Sequence, residues 1–154
     1  MGVYKVVFQD VAISVAEDLF AFLAPADSSA EVIALFLGQR TELADAAEEQ
    51  LRIHIQQGAT TVGSGGAAAT FVPQILGQQA FGGSGRINDT TEASAGTIVT
   101  HEEHILNIRV PFQRIWLPEE RPVVAPSTRW VSGLVAAPAD EITASGTLVL
   151  RTIS

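Results

Sequence analysis

Six consecutive residues constrain this chain more than any others: Leu51-Arg52-Ile53-His54-Ile55-Gln56 sets three aliphatic side chains against three polar ones in strict alternation. A period of two places one face in a core and the other in water, which a strand does and a helix of period 3.6 cannot. Such alternation favours an antiparallel sheet with one wet face. The same pattern recurs in short apolar runs rich in β-branched and aromatic residues and closed by Gly, Pro, Asp or Ser. Strands are predicted at 3–8, 12–15, 19–23, 32–37, 51–56, 105–110, 112–117, 130–135 and 143–152. Helical periodicity is confined to 41–50, where Thr41 could cap a turn or two, and its four acids without a base suit a short surface helix or an acidic loop.

Many short strands with no helices between them predict an all-β fold, an antiparallel β-sandwich resembling a jelly roll. With 154 residues and 47% hydrophobic content, the chain forms one domain, 1–154, whose core needs no staple. Ala24-Pro25-Ala26-Asp27 and Ala137-Pro138-Ala139-Asp140 both read as strand-to-strand turns. The exception to this economy is 57–97, rich in Gly, Ala, Ser and Thr, which reads as a long excursion anchored by 71–76 and Phe81 and reaching over a neighbouring subunit.

Several classes of function are disfavoured. There is no cysteine, so disulfides, thiolate zinc sites and cysteine nucleophiles are excluded. The formal charge is −8, Lys5 is the only lysine and the eight arginines are scattered singly, which argues against nucleic acid as a partner. No apolar run approaches the roughly 20 residues of a membrane span, and the N-terminus carries neither a signal-peptide nor a myristoylation pattern.

Reactive constellations are weak. In His101-Glu102-Glu103-His104, strand geometry puts His101 and Glu103 on one face and Glu102 and His104 on the other, which splits the histidines and makes a poor metal site. His54 reads as an exposed histidine. Neither Gly63-Ser64-Gly65 nor Gly83-Ser84-Gly85 has the spacing of a nucleophile elbow or a phosphate loop. Asn88-Asp89-Thr90 matches the glycosylation pattern. Trp116 and Trp130 suit a core or an interface. No catalytic residue, metal or cofactor is expected, although a hydrolase built on His101, His104 and nearby acids is one alternative.

Turn and strand patterns across most of the chain carry a resemblance. They include Ala16-Glu17-Asp18-Leu19-Phe20, Leu37-Gly38-Gln39, Leu117-Pro118-Glu119-Glu120-Arg121 and Ser145-Gly146-Thr147-Leu148. With these, the chain resembles small structural proteins of tailed bacteriophages, and among them capsid decoration or cement proteins. The resemblance implies a non-enzymatic virion component on the capsid surface, made in the bacterial host cytoplasm. Its partners would be the major capsid protein and copies of itself, with a trimer as the expected oligomer. Interface residues are expected at Tyr4, Val6, Phe71, Val72, Ile75, Phe81, Trp116, Arg121 and Trp130. The alternative is a tail, baseplate or fibre module that stacks a host carbohydrate on Trp130 or Phe112.

Overall fold

The computed structural model describes residues 2–41 and 49–153, so most of the predicted helical stretch 41–50 lies outside the described residues. Among the described residues there is no helix. Sheet A contains β1 (Val3–Ile13), β3 (Ser29–Gln39), β6 (Val72–Pro73), β9 (Phe112–Ile115), β10 (Val123–Val124) and β12 (Ile142–Ile153). Sheet B contains β2 (Glu17–Leu23), β4 (Gln50–Thr61), β5 (Ala67–Ala68), β7 (Ser84–Asp89), β8 (Ser94–Asn107) and β11 (Arg129–Leu134). Every pairing is antiparallel.

The strand order is that of a jelly roll. Eight strands form the body, and sheet A runs β9-β3-β12-β1 while sheet B runs β8-β4-β11-β2. Counted along the chain, these are strands 6-3-8-1 and 5-4-7-2, two interleaved Greek keys.

Alternation builds the core as the sequence requires. Leu51, Ile53 and Ile55 of β4 are buried, as are Tyr4, Val6 and Phe8 of β1 and Leu148 and Leu150 of β12. Gly146 sits under the Phe8 ring, where an added Cβ would come within 2.8 Å of it. The predicted segment 12–15 is not a separate strand: β1 runs on to Ile13 through a bulge at Gln9–Asp10, with Asp10 at φ 51°.

The stretch 57–97 folds back onto its own domain. It carries the end of β4, then β5, β6 and β7, then the start of β8. β7 extends sheet B beyond β2, and β6 extends sheet A beyond β1. Phe81 lies between the sheets, stacked on Phe71 at 4.2 Å and edge-on to Tyr4 and Phe22. This aromatic plug closes one side of the sandwich.

Candidate functional site

Three features could carry function: a polar cluster on the β8/β9 side, a buried carboxylate group on sheet B, and the outer face of sheet A. The first contains the His101–His104 motif. Pairing of β8 with β4 sends Glu102 and His104 inward, opposite Ile55 and Ile53, and Glu103 outward, opposite His54. His101 falls at a break in the β4–β8 register, so simple alternation does not place it; it borders, with Glu102, a hollow beside Arg114 and Glu120. Glu102 accepts hydrogen bonds from the Trp116 indole at 2.5 Å and from Arg114 Nε at 3.1 Å, and lies 3.3 Å from His104 Nε2. Arg114 also reaches Glu120 at 3.3 Å and lies 5.1 Å over the Trp116 ring. Glu103 is paired with Arg52 at 2.8 Å, while His101 is exposed.

The charges of this cluster are therefore spent on one another. Its chemistry is adhesive: Glu102 and Arg114 join the open edges of the two sheets, as the aromatic plug joins the opposite side. Glu102→Ala strands a buried indole N–H and half-buried arginine, so a loss of about 2–3 kcal/mol is expected in denaturant melts. Glu102→Gln, which keeps an acceptor, is expected to lose less than half of that.

The second feature was hidden in the sequence. Glu17, Asp18 and Asp89 are buried at one end of sheet B, where the loops around 63–66 and 90–93 cover the outer face. The Ala93 amide donates to Asp18 Oδ2 at 2.7 Å, and the Gly66 amide to Asp89 Oδ1 at 2.9 Å. Arg86 binds both Asp89 oxygens, at 2.8 Å at the closest, and Asn88 Nδ2 donates to Glu17 at 2.9 Å. Ser64 and Thr91 exchange backbone hydrogen bonds at 2.9 Å, clasping the two loops together. Asn88 is thus buried and bonded, and a glycan could not reach its amide.

Burial pushes the Asp18 carboxyl up to about 7, with help from Glu92, Asp89 and Glu17 and against the Ala93 amide. Burial also raises Glu17 and lowers His54, the latter opposed by Glu92 and Glu103. His54 is half-buried rather than exposed, because it leans over Gly133 of β11. A Cβ there would meet its Nε2 at 2.5 Å and Asp18 Oδ1 at 3.2 Å. The nearest sequence signal for this group was the pair Glu17-Asp18 leading directly into an apolar strand.

The third feature is a surface. On the outer face of sheet A, cross-strand pairing aligns Val72, Lys5, Val149, Ala34 and Ile115 in one row over five strands. The next row is Val7, Thr147, Phe36 and Gln113. Val7, Val72 and Ile115 are about half exposed, and Leu76, in the turn after β6, is 91% exposed. A groove of about 460 Å³, walled by Val7, Phe36 and Phe112, opens on this face. Toward the other end of β3, Glu31 is held by Arg151 and, at 3.7 Å, by Arg121.

The residues expected at an interface divide accordingly. Tyr4, Val6, Phe81, Trp116 and Trp130 are buried inside the chain, so their apolar area is already spent on the core and they present nothing to a partner. Val72 and Ile75 are exposed, Phe71 is half-buried against Phe81, and Arg121 flanks the sheet A face. Val7, Ile115 and Leu76 belong with the exposed group and were missed. Their neighbours across the sheet lie far away in sequence, so only the register reveals the row. No protein-family model, curated protein or solved structure matches the chain.

Proposed function

We propose that the chain is a virion structural protein of the capsid-decoration kind, which docks on the major capsid protein and on neighbouring copies through the outer face of sheet A. The observation that carries this reading is the row across five strands, apolar but for Lys5, together with the groove and the exposed Leu76 turn. Half-exposed Val7, Val72 and Ile115 on one sheet face of a protein of charge −8 fit a surface awaiting a partner. Arg121 and Arg151 are held by Glu31, and Lys5 lies within the row, so the partner surface is apolar with an acidic group to meet Lys5. The jelly roll supports the reading by analogy of fold alone, since viral shells often use it.

Cosedimentation with expanded, undecorated phage heads tests the proposal. Saturable binding and greater heat resistance of the heads are expected. A Val7→Asp, Ile115→Asp double variant should weaken binding at least tenfold, at about 1.5–3 kcal/mol per buried aliphatic side chain, with its melting temperature unchanged. Failure of the wild-type chain to associate with any head particle would end the proposal. The carbohydrate-binding alternative loses its Trp130 platform, because that ring is fully buried against Phe22.

A further inference from the structure

The edges of the two sheets are unequal. Sheet A ends on one side in β6, of two residues, which covers only Tyr4 and Lys5 and leaves β1 open from Val6 to Ile13, a stretch broken by the bulge at Gln9–Asp10; on the other side it ends in β9 and β10, of four and two. Sheet B ends in β5, of two residues, and in β8, of fourteen. Very short edges are a standard protection against strand-to-strand association, because they offer too few unpaired backbone groups to template another chain. β8 is long, and it pairs with β4 on one side and with no strand on the other among the described residues. Its register against β4 breaks at His101 and again between Gly96 and Val99, with Ala95 and Gly96 at positive φ, so the part open to a partner centres on Ile98 to Thr100.

Composition says what such an edge can accept. Every residue from Ser94 to Thr100 is exposed and none is charged, and Thr97-Ile98-Val99-Thr100 is wholly β-branched. On a chain of charge −8, this is a stretch where two copies meet without like-charge repulsion. An antiparallel two-fold pairing opposes each residue to the one equally far beyond the axis. With the axis at Ile98 or Val99, Glu102 and Glu103 fall opposite residues within Ala93–Gly96, all small and neutral, instead of opposite each other.

We propose that β8 pairs antiparallel with β8 of a second copy about a two-fold axis at Ile98 or Val99, which joins two six-stranded B sheets into one continuous sheet. Main-chain hydrogen bonds supply the attraction, and the β-branched side chains set the register. The pairing is isologous and closes on itself, so it yields a dimer rather than a fibre, and not the threefold assembly the resemblance implies. It uses the sheet opposite the proposed docking face and does not rest on that proposal.

Sedimentation velocity over a broad concentration range tests it. A doubling of mass from the 16.3 kDa chain is expected as concentration rises. An Ile98→Lys, Val99→Lys variant is expected to weaken association at least tenfold, while melting as the wild-type monomer does at high dilution. Because the chain has no cysteine, single substitutions at 97, 98, 99 and 100 give a second measurement that leaves the fold's charge untouched. Oxidative cross-linking should peak at Ile98→Cys or Val99→Cys and fall away on either side. A monomer at every concentration, a dimer indifferent to the two lysines, or cross-linking that is flat across the four positions would each overturn the proposal.

Discussion

Replacing Trp130 with alanine is expected to cost about 3–5 kcal/mol, a large fraction of the stability of a domain this size. The ring is fully buried and stacks on Phe22 at 5.5 Å; Phe22 meets Phe81, which in turn packs on Tyr4 and Phe71. Truncation opens a cavity at the head of an aromatic chain that runs from β11 to β1, across both sheets. Phenylalanine separates the causes. The Trp130 indole N–H is buried with no hydrogen-bond partner among the described residues, so Trp130→Phe removes an unsatisfied donor while keeping a ring. Its expected cost is below about 1.5 kcal/mol. Trp116→Phe makes the same chemical change but deprives Glu102 of a donor, so it is expected to cost more. Urea melts of the three variants decide the matter: a Trp130→Phe loss equal to that of alanine, or greater than that of Trp116→Phe, contradicts the account.

Asp18 is expected to make the fold less stable as pH rises from 4 to 8. Its carboxyl titrates near 7 in the folded state and near 3.8 when unfolded, so the folded chain holds a proton that the unfolded chain releases. The stabilising contribution is complete below about 4 and lost by the time the pH has passed 7. Discounted for solvent screening at a site covered only by loops, the loss is about 2 kcal/mol. Glu17, also raised by burial, acts in the same sense. His54 acts in the opposite one, since burial disfavours its charged form and acid below 6.5 costs the folded state. Asp18→Asn, neutral at every pH and still able to accept from the Ala93 amide, should flatten the alkaline limb and leave the acid limb set by His54. Hydrogen exchange at residues 90–93 reads the same event locally, with protection, after correction for the intrinsic pH dependence of amide exchange, lower at pH 8 than at pH 5 in the wild type alone. An Asp18→Asn profile that keeps the wild-type alkaline slope would show that another group is responsible.

The sandwich was legible because its central strands obey the period of two: 51–56 and 143–152 announce which face is buried without reference to anything else. The front half of β8 was not, because residues 94–100 are exposed on both faces and so carry no alternation to read. β5 and β7 were hidden for a related reason: Ala67-Ala68 and Ser84-Gly85 resemble a loop until β7 pairs with β2 and β5 with β7. Phe71 and Phe81 stood out in 57–97 as anchors, but their target is the domain's own Tyr4 and Phe22, a choice that no local pattern encodes. Glu17, Asp18 and Asp89 defeated the reading most fully. Acids in a strand imply water, and only the folding of 63–66 and 90–93 over the sheet removes it.

The placing of β11 and β12 bears on how the chain acquires its shape during synthesis. β12 lies between β1 and β3, and β11 between β2 and β4. Strands late in the sequence therefore fill the middle of both sheets. β2 can pair with β7, β3 with β9 and β4 with β8 beforehand, but sheet B becomes continuous only with β11, and sheet A only once translation has passed residue 142. Until then each sheet is two separate ribbons with apolar sides uncovered, a long-range topology of the kind that folds slowly. A C-terminal truncation would remove the keystone of each sheet, not a margin.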